Sequence, residues 1–195
     1  MMFRSILITI AALALGASAF AQVETWKIDP NHTAAQFSVR HMAISTVRGA
    51  FTKVSGEVAF DPKDLTKTTI QATIEADSVD TRVNMRDDDL RNNYFEVAKY
   101  PTITFKSKQA QSPGPGKLKV TGDLTLHGVT KEVVLDVDGP SETIQDPRGN
   151  FHMGASATTK VSRTDFGITK SPGVIGDDIA ITIDTEMTKP GSAAK

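Results

Sequence analysis

Charged and titratable side chains are the first places to look for chemistry in this chain of 195 residues. Three consecutive carboxylates, Asp87 to Asp89, could act as acid and base or hold a cation, but no EF-hand spacing surrounds them. The four histidines are His32, His41, His127 and His152, and none has the HExxH spacing of a zinc site. The chain also lacks the GxSxG elbow of serine hydrolases. The sequence therefore predicts no catalytic set and no metal site.

Four other side chains could bind an anion without breaking a bond. Arg82, Arg86 and Arg91 flank the acidic run, and each could pair with a phosphate or another anionic head group. His41 falls near the end of a predicted strand, where it could meet the same group. Plain surface charge for the arginines and a structural role for the histidine are the alternatives, since exposed charges are common. We take these four residues as candidate head-group contacts.

The elements that would position these side chains are strands rather than helices. In residues 118–126 apolar and polar residues alternate, which is typical of a strand with one dry and one wet face. The pattern breaks at His127-Gly128 and resumes over residues 133–137. Two such runs joined by a short connection that contains glycine predict a β-hairpin.

Similar alternation recurs along most of the chain. Residues 84–95 are the exception, because Leu90 is spaced from Arg86 and Tyr94 like one face of a helix. Many alternating strands joined by turns indicate a sandwich or a barrel, and long strands with a consistent dry face favour a closed antiparallel barrel. We predict an all-β fold of about eight strands with one short helical insert, wide enough for one small ligand. The other predicted strands lie within residues 24–29, 35–42, 47–60, 70–76, 103–105, 151–161 and 179–187.

The dry face of this barrel combines bulky apolar residues with several small ones. Small residues leave volume that a solid core would fill, so one interpretation is a long apolar tunnel for a lipid chain. The other interpretation is a filled barrel, in which small and large residues are paired to fit the taper. The pattern alone leaves both open. The candidate lumen residues are Phe37, Val39, Ile74, Phe105, Leu124, Phe151, Met153, Ala155, Ala157, Phe166 and Ile181.

The start of the chain has the features of a secretory signal. A short basic start precedes the apolar run of residues 6–15, and Ala19-Phe20-Ala21 is a small-x-small cleavage site. An uncleaved membrane anchor is the alternative, but the apolar run is short for a membrane span. We predict a signal peptide at residues 1–21, a barrel domain at residues 22–190 and a tail at residues 191–195.

Composition narrows the functional classes. The whole chain carries 22 basic and 23 acidic residues, and loss of Arg4 with the signal makes the balance slightly more acidic. A chain with this charge balance lacks the excess of basic residues that nucleic-acid-binding proteins usually have. With no cysteine, an exported chain has neither a disulfide nor a thiolate zinc site. No apolar run after the signal is long enough to span a membrane, so we expect a protein beyond the inner membrane. We predict a periplasmic location, and composition leaves a eukaryotic secretory route as the alternative.

The order of the motifs resembles the YceI-like family, exported proteins that bind polyisoprenoids and other lipids. The resemblance runs from Trp26 to about Met187, and its most specific block is GDLTL followed by GVTK, at residues 122–126 and 128–131. Asp89 departs from the pattern, because relatives often have a histidine at that position, so no role of that histidine is carried over. The other matching residues are Asp29, His32-Thr33, Phe37, Val39, His41, Gly49, Phe51, Ser78-Val79-Asp80-Thr81, Arg86-Asp87, Leu90, Tyr100-Pro101, Phe105-Lys106-Ser107 and Phe166-Gly167-Ile168.

The resemblance implies an extended lipocalin-like barrel with the helical insert near its mouth. It also implies a periplasmic carrier, sometimes linked to stress responses and often a homodimer, that holds a polyisoprenoid or a similar long-chain amphiphile. We expect no cofactor beyond this lipid, which could be an isoprenoid quinone, a prenyl phosphate or a fatty amide. Two alternatives to a carrier stay open: an enzyme that acts on a prenyl lipid through His41, and a stress-related structural or interaction protein with a filled barrel.

Overall fold

The computed structural model describes residues 23–191. The predicted signal peptide and all but the first residue of the predicted tail lie outside the described residues. Strands dominate the described part, as the alternating sequence predicts. Their bounds are β1 Glu24–Ile28, β2 Ala34–His41, β3 Ser45–Phe51, β4 Val54–Asp61, β5 Asp64–Glu75, β6 Val79–Asp80, β7 Thr102–Gly114, β8 Lys117–Leu126, β9 Val129–Asp138, β10 Ile144–Gln145, β11 Phe151–Ser162 and β12 Ile175–Lys189.

Eight strands of the described chain close into an antiparallel ring in the order β11-β9-β8-β7-β5-β4-β1-β12. Pairing of β11 with β12 closes the ring, from Phe151↔Lys189 to Ser162↔Asp178. The predicted all-β barrel of about eight strands is therefore confirmed. Four further strands of residues 23–191 lie outside the ring, and the sequence pattern did not predict which strands these would be. They are β2, β3, β6 and β10. They extend the same sheet.

The length of β12 produces the extension. Its 15 residues pair with β1 only at Lys27↔Thr188 and Ile28↔Met187. The preceding part of β12 pairs with β2 instead, from Asp184↔Ala34 down to Ile175↔His41. β1 and β2 thus lie end to end along one strand, and β3 continues the sheet beyond β2. Because β1 and β2 together run beside β12, the barrel is longer than β1 alone would allow.

The hairpin predicted from residues 118–137 is confirmed as β8 and β9, which pair from Lys117↔Asp138 to Leu126↔Val129. The two turn residues, His127 and Gly128, have φ angles of 52° and 73°. Positive φ at both positions is what a type I′ two-residue turn requires, and its twist matches that of the flanking strands.

The predicted helical insert is confirmed as α1 (Asn84–Asp89), which continues as a π-helical turn (Leu90–Tyr94). The buried Asp87 anchors it, because Oδ1 of Asp87 accepts hydrogen bonds from the backbone N–H and the hydroxyl of Thr81, at 2.8 and 2.5 Å. After the turn, Phe95 packs on Phe51 of β3, with ring centroids 5.4 Å apart. The insert therefore covers the sheet beside β3. No helix within residues 23–191 is long and apolar enough to cross a bilayer.

One end of the barrel contains a tightly packed core, which we call the base. Trp26 of β1 is 1% exposed, and its ring lies 6.2 Å from that of Phe60. Ile28, Met153 and Met187 belong to the same buried cluster. Each such side chain contributes about 1.5–3 kcal/mol when it is removed from water, so this cluster stabilises the end of the ring where β1, β4, β11 and β12 meet.

Candidate functional site

The barrel encloses a cavity of about 690 Å³. Its wall follows β12 for most of that strand's length, from Ile175 to Met187, and alternate residues of β12 face it. The lining is mainly aliphatic and aromatic. This volume lies in the range that holds small molecules. The lumen is open rather than filled, which decides between the two interpretations that the sequence pattern left open.

Nine of the eleven candidate lumen residues line this cavity, and the assignment of the other two is corrected. Phe166 lies in the 3-10 turn Arg163–Phe166, where strand alternation has ended, and its side chain is buried away from the cavity. Phe151 opens β11 at the base, with its ring 5.6 Å from Lys189 Nζ. Contact of the nine with a ligand stays a prediction. They are Phe37, Val39, Ile74, Phe105, Leu124, Met153, Ala155, Ala157 and Ile181.

Small residues of the inner face have two different effects. A Cβ atom at Gly122 would lie 2.5 Å from Cζ of Phe105, and one at Gly49 would lie 2.6 Å from Cζ of Phe37. These glycines make room for aromatic rings, which is the pairing of small and large residues that fills a barrel. Ala155 lines open cavity instead, as does the second alanine of β11. The β11 alanines, unlike the two glycines, leave space for a ligand.

The charged and titratable groups of the lining are confined to one end of the cavity. Arg86 and Asp89 come from α1, His41 from the end of β2, and Arg163 from the turn that follows β11. Elsewhere the wall is formed by alternate, mostly apolar residues of the strands. The cavity therefore has the polarity of an amphiphile, with a long apolar part and one charged end.

The loop between Arg163 and β12 joins the segments at this end. Tyr94 Oη donates a hydrogen bond of 2.8 Å to Ser171 Oγ, and the carbonyl of Val174 accepts one of 2.6 Å from the N–H of Met42. The helical insert, this loop and the β2–β3 turn therefore meet at one place. We call this place the mouth. Its exposed lining residues are Ser45, Asp89 and Val174.

Arg86 is the predicted head-group residue with the most defined geometry. Its Nε donates to the hydroxyl of Thr81 at 2.7 Å, and its Nη2 donates to the carbonyl of Thr81 at 2.9 Å. Asp87 holds Thr81 in turn, so the guanidinium is fixed at the cavity wall. Nη1 of Arg86 makes no hydrogen bond within the described residues, which leaves two N–H donors for an anion. His41 also lines the cavity, as predicted for its strand end.

Arg82 and Arg91 lie outside the cavity lining, and their head-group assignment is corrected. The side chain of Arg82 lies on the surface, and its backbone has a φ of 64°. Arg91 Nε donates to the carbonyl of Asp77 at 2.7 Å, and its Nη2 to the carbonyl of Val79 at 2.8 Å. The guanidinium of Arg91 therefore completes backbone hydrogen bonding beside β6. Their positions in the sequence could not show that Arg86 lines the cavity while these two arginines do not.

Arg163 is a site residue that the sequence reasoning missed. It is 3% exposed, lines the cavity and clamps the loop of the mouth, because its guanidinium donates hydrogen bonds to four backbone carbonyls. The sequence contained a pattern that could have identified it, since Arg163 continues the dry-face alternation of residues 151–161. Nε donates to the carbonyl of Gly176 at 3.0 Å, Nη1 to those of Ile168 at 2.8 Å and Lys170 at 2.7 Å, and Nη2 to the carbonyl of Ile175 at 3.0 Å. Nη2 also forms an ion pair with Oδ1 of Asp177 at 3.0 Å.

Four aromatic lining residues were also missed. Phe51 ends β3, Phe60 lies on β4, and Tyr94 and Phe95 follow α1. Tyr94 and Phe95 lie in a segment without alternation, so no pattern marks their inner face. Only the packing of the insert onto β3 brings these rings to the cavity.

The fold and the cavity define a class of protein, a closed antiparallel barrel around an apolar lumen with charged groups at one end. The family model of the YceI-like domain matches residues 26–187. The chain belongs to the YceI-like family, as its motifs predict. A curated relative, a UPF0312 protein of Vibrio cholerae, is 36% identical over 138 residues, which cover 70% of this chain and 72% of the relative.

Solved structures show the same barrel. The YCEI protein of Campylobacter jejuni is 33% identical and aligns with a TM-score of 0.69 over 77% of this chain and 89% of that chain. A polyisoprenoid binding domain from Saccharophagus degradans, implicated in plant cell wall breakdown, aligns with a TM-score of 0.62 over 85% of this chain and 98% of that domain. At 17% identity, this second likeness concerns the fold alone.

Proposed function

We propose that this protein is an exported carrier that holds one long-chain amphiphilic lipid, a polyisoprenoid or a similar molecule, in the barrel lumen. The observation that carries the proposal is the polarity of the cavity, which is apolar along its strands and charged only at the mouth. An apolar chain would lie along β12, and its head group would face Arg86 and His41. An isoprenoid quinone or a prenyl phosphate has this shape.

Burial of the lipid chain supplies the affinity. Each methylene group that leaves water contributes about 0.8 kcal/mol, so a long prenyl chain would exceed the practical affinity limit of roughly 20 kcal/mol if nothing opposed binding. Ordering of the flexible chain opposes it. A carrier of this kind therefore selects its ligand by length and head group rather than by total apolar contact.

Two further observations support a carrier role outside the cytoplasm. Residues 1–21 have the features of a cleavable signal, which supports export of the mature protein to the periplasm of a bacterium. The Saccharophagus degradans domain with the same fold is a polyisoprenoid binding domain. The periplasmic location, a link to stress responses and a homodimeric state are part of the proposal and follow from the family resemblance.

The direct test is identification of the bound molecule. The full chain with its signal is expressed in a bacterial host, purified from the periplasm without detergent, and extracted with organic solvent for mass spectrometry. We expect one prenyl lipid per chain. An extract without lipid from folded protein, combined with no uptake of prenyl phosphates, quinones or fatty amides in vitro, would contradict the proposal.

A pair of variants tests whether the lumen is the site. Ala155→Leu with Ala157→Leu places two larger side chains in the open part of the cavity, and we expect the double variant to fold but to lose bound lipid. Ala180→Leu is the matched control, because Ala180 lies on β12 but is exposed and does not line the cavity. Equal lipid content in the double variant and the control would show that the lumen is not the site.

A further inference from the structure

A second cluster of chemically active side chains lies outside the lumen, where β1 ends and β2 begins beside β12. Asp29 and His32 belong to the turn between β1 and β2, and Glu186 lies on β12 next to that turn. Glu186 is 11 positions along β12 from Ile175 at the mouth, or roughly 36 Å at the rise of a strand. The cluster therefore belongs to neither the cavity lining nor the mouth.

One donor atom from each of these three residues lies within 4.8 Å of the other two. Asp29 is held in place, because its N–H donates to the carbonyl of Glu186 at 2.9 Å and its Oδ1 accepts the N–H of Asn31 at 2.9 Å. The other oxygen, Oδ2, lies 2.9 Å from Nδ1 of His32. His32 is the most exposed of the three side chains, at 63% against 16% for Asp29 and 34% for Glu186.

A second imidazole supports the Glu186 carboxylate. Nδ1 of His152 lies 2.7 Å from Oε1 of Glu186, and Nε2 of His152 lies 3.2 Å from Oδ2 of Asp146. Burial opposes ionisation of Asp146, but hydrogen bonds from Asn150 and His152 still lower the pKa of that carboxyl to about 2. Asp146 therefore stays ionised and orients His152. Carboxylates that ligate a metal are themselves hydrogen-bonded by outer groups, and His152 occupies this position beside Glu186.

The electrostatic surroundings favour a cation. The charged and titratable groups around His32 are the carboxylates of Asp29 and Glu186 and the imidazole of His152. Imidazole nitrogen together with carboxylate oxygen suits zinc better than magnesium or calcium, which prefer oxygen alone. Zinc binds these atoms at about 2.0–2.2 Å. The three donors lie within 4.8 Å of one another and would move closer together around a zinc ion, for which His32, 63% exposed, has room.

We infer that Asp29, His32 and Glu186 form a zinc site on the outside of the barrel, with His152 and Asp146 as positioning residues. Three protein ligands leave one tetrahedral position for water or for a donor from another molecule. The site would link the β1–β2 turn to β12 at the point along β12 where its paired neighbour changes from β1 to β2. It does not depend on the lipid carrier role, since none of its three ligands lines the lumen.

The test is a titration of the purified mature protein, stripped of metal with EDTA, with zinc chloride in a non-chelating buffer, followed by calorimetry. We expect one zinc ion per chain and a weaker response to magnesium chloride. His32→Gln should lower zinc affinity by more than about 100-fold, since it removes a ligand, while His152→Ala should lower it by about 10–100-fold. His32 is exposed, so its variant is expected to fold.

Glu142→Gln is the matched control. Glu142 is an exposed carboxylate in the shallow groove that also contains His32, His152 and Glu186, but it is not a proposed ligand. Zinc affinity equal to that of the unaltered protein in Glu142→Gln, with the loss in His32→Gln, supports coordination. Absence of a stoichiometric zinc ion, or the same small decrease in both variants, overturns the site and leaves only diffuse attraction of cations. Lipid content, measured on the same samples, reports separately on the carrier proposal.

Discussion

The base and the mouth of the barrel are closed by different means. At the base, Trp26, Phe60 and Met187 pack as a cluster of buried apolar side chains. At the mouth, the loop before β12 and the start of β12 are held by hydrogen bonds, four of them made by the side chain of Arg163. Large apolar side chains are exposed on the segments that form the mouth, among them Ile44 at 78% and Met85 at 81%.

This difference indicates which end opens. Separation of a packed apolar cluster exposes its whole surface to water, whereas a broken hydrogen bond is replaced by one to water at a net cost of about 0.5–1.5 kcal/mol. We therefore expect local opening at the hydrogen-bonded loop of the mouth and not at the base. A lipid that enters or leaves the cavity would pass the mouth for this reason. Four predictions test this contrast.

The largest effect is expected at the base. Trp26→Ala removes the most buried large side chain of the cluster, which should lower the free energy of unfolding by about 3–5 kcal/mol, measured by urea denaturation with circular dichroism. Lipid affinity of the folded fraction should change little, because Trp26 does not line the cavity. A loss of stability below about 1 kcal/mol would contradict the role of the base as the anchor of the ring.

Removal of the Arg163 side chain should destabilise the mouth more than the rest of the barrel. Arg163→Ala leaves several carbonyl groups without their donor, and we expect a loss of about 2–3 kcal/mol in the free energy of unfolding. Hydrogen exchange should become faster in residues 168–177 but not in β1 or β4, and lipid should be released faster. Arg163→Lys should behave similarly, because lysine cannot supply the planar set of five donors. Uniformly faster exchange across the barrel would show that the mouth is not a separate unit.

A smaller effect is expected for the head group. Arg86→Gln should weaken binding of a prenyl phosphate about tenfold, or about 1.4 kcal/mol, while binding of the uncharged prenol stays the same. Fluorescence competition with both ligands measures the difference. Arg48→Gln is the control, because Arg48 is an exposed arginine of β3 that does not line the cavity. Equal weakening for both ligands would mean that Arg86 acts through the fold and not on the anion.

The smallest effect concerns pH. The N–H of Lys63 and the ammonium of Lys67 donate to the fully buried carboxylate of Asp61 at 2.9 and 3.1 Å, and they lower the pKa of Asp61 below 3.8. A lowered pKa stabilises the folded state above the unfolded-state value, and this contribution is lost as pH falls through the lower folded-state value. Asp61→Asn should therefore flatten the acid side of a stability–pH profile below about pH 4. An unchanged profile would contradict this assignment.

Much of the fold was predictable because its signals are local. Alternation over residues 118–137 predicts both the strands and their register, since a shift of one residue would turn the dry face to water. The turn at His127-Gly128 follows from the same stretch. The helical insert was predictable because the two-residue alternation of the strands is absent from residues 84–95. The sequence alone could not divide residues 24–41 between a ring strand and an added strand, because that division depends on how far β12 extends beside them.

The site was less predictable, because it depends on contacts between distant segments. Nothing local distinguishes Arg86, which reaches the cavity, from Arg91, which completes the hydrogen bonding of two carbonyl groups. The zinc ligands were missed for the same reason, since Asp29 and Glu186 are far apart in the chain and meet only where β1 lies against β12.

By itself, the sequence determined an all-β barrel with one apolar face, its helical insert and its family, because period-two alternation, turn residues and motif order are properties of neighbouring positions. The tertiary structure alone decided that the lumen is open, which arginine faces it, that Arg163 clamps the mouth, and that a His–carboxylate cluster forms beside β12. These features are set by the volume and distances between segments that are remote in the chain, and only closure of the sheet brings those segments together.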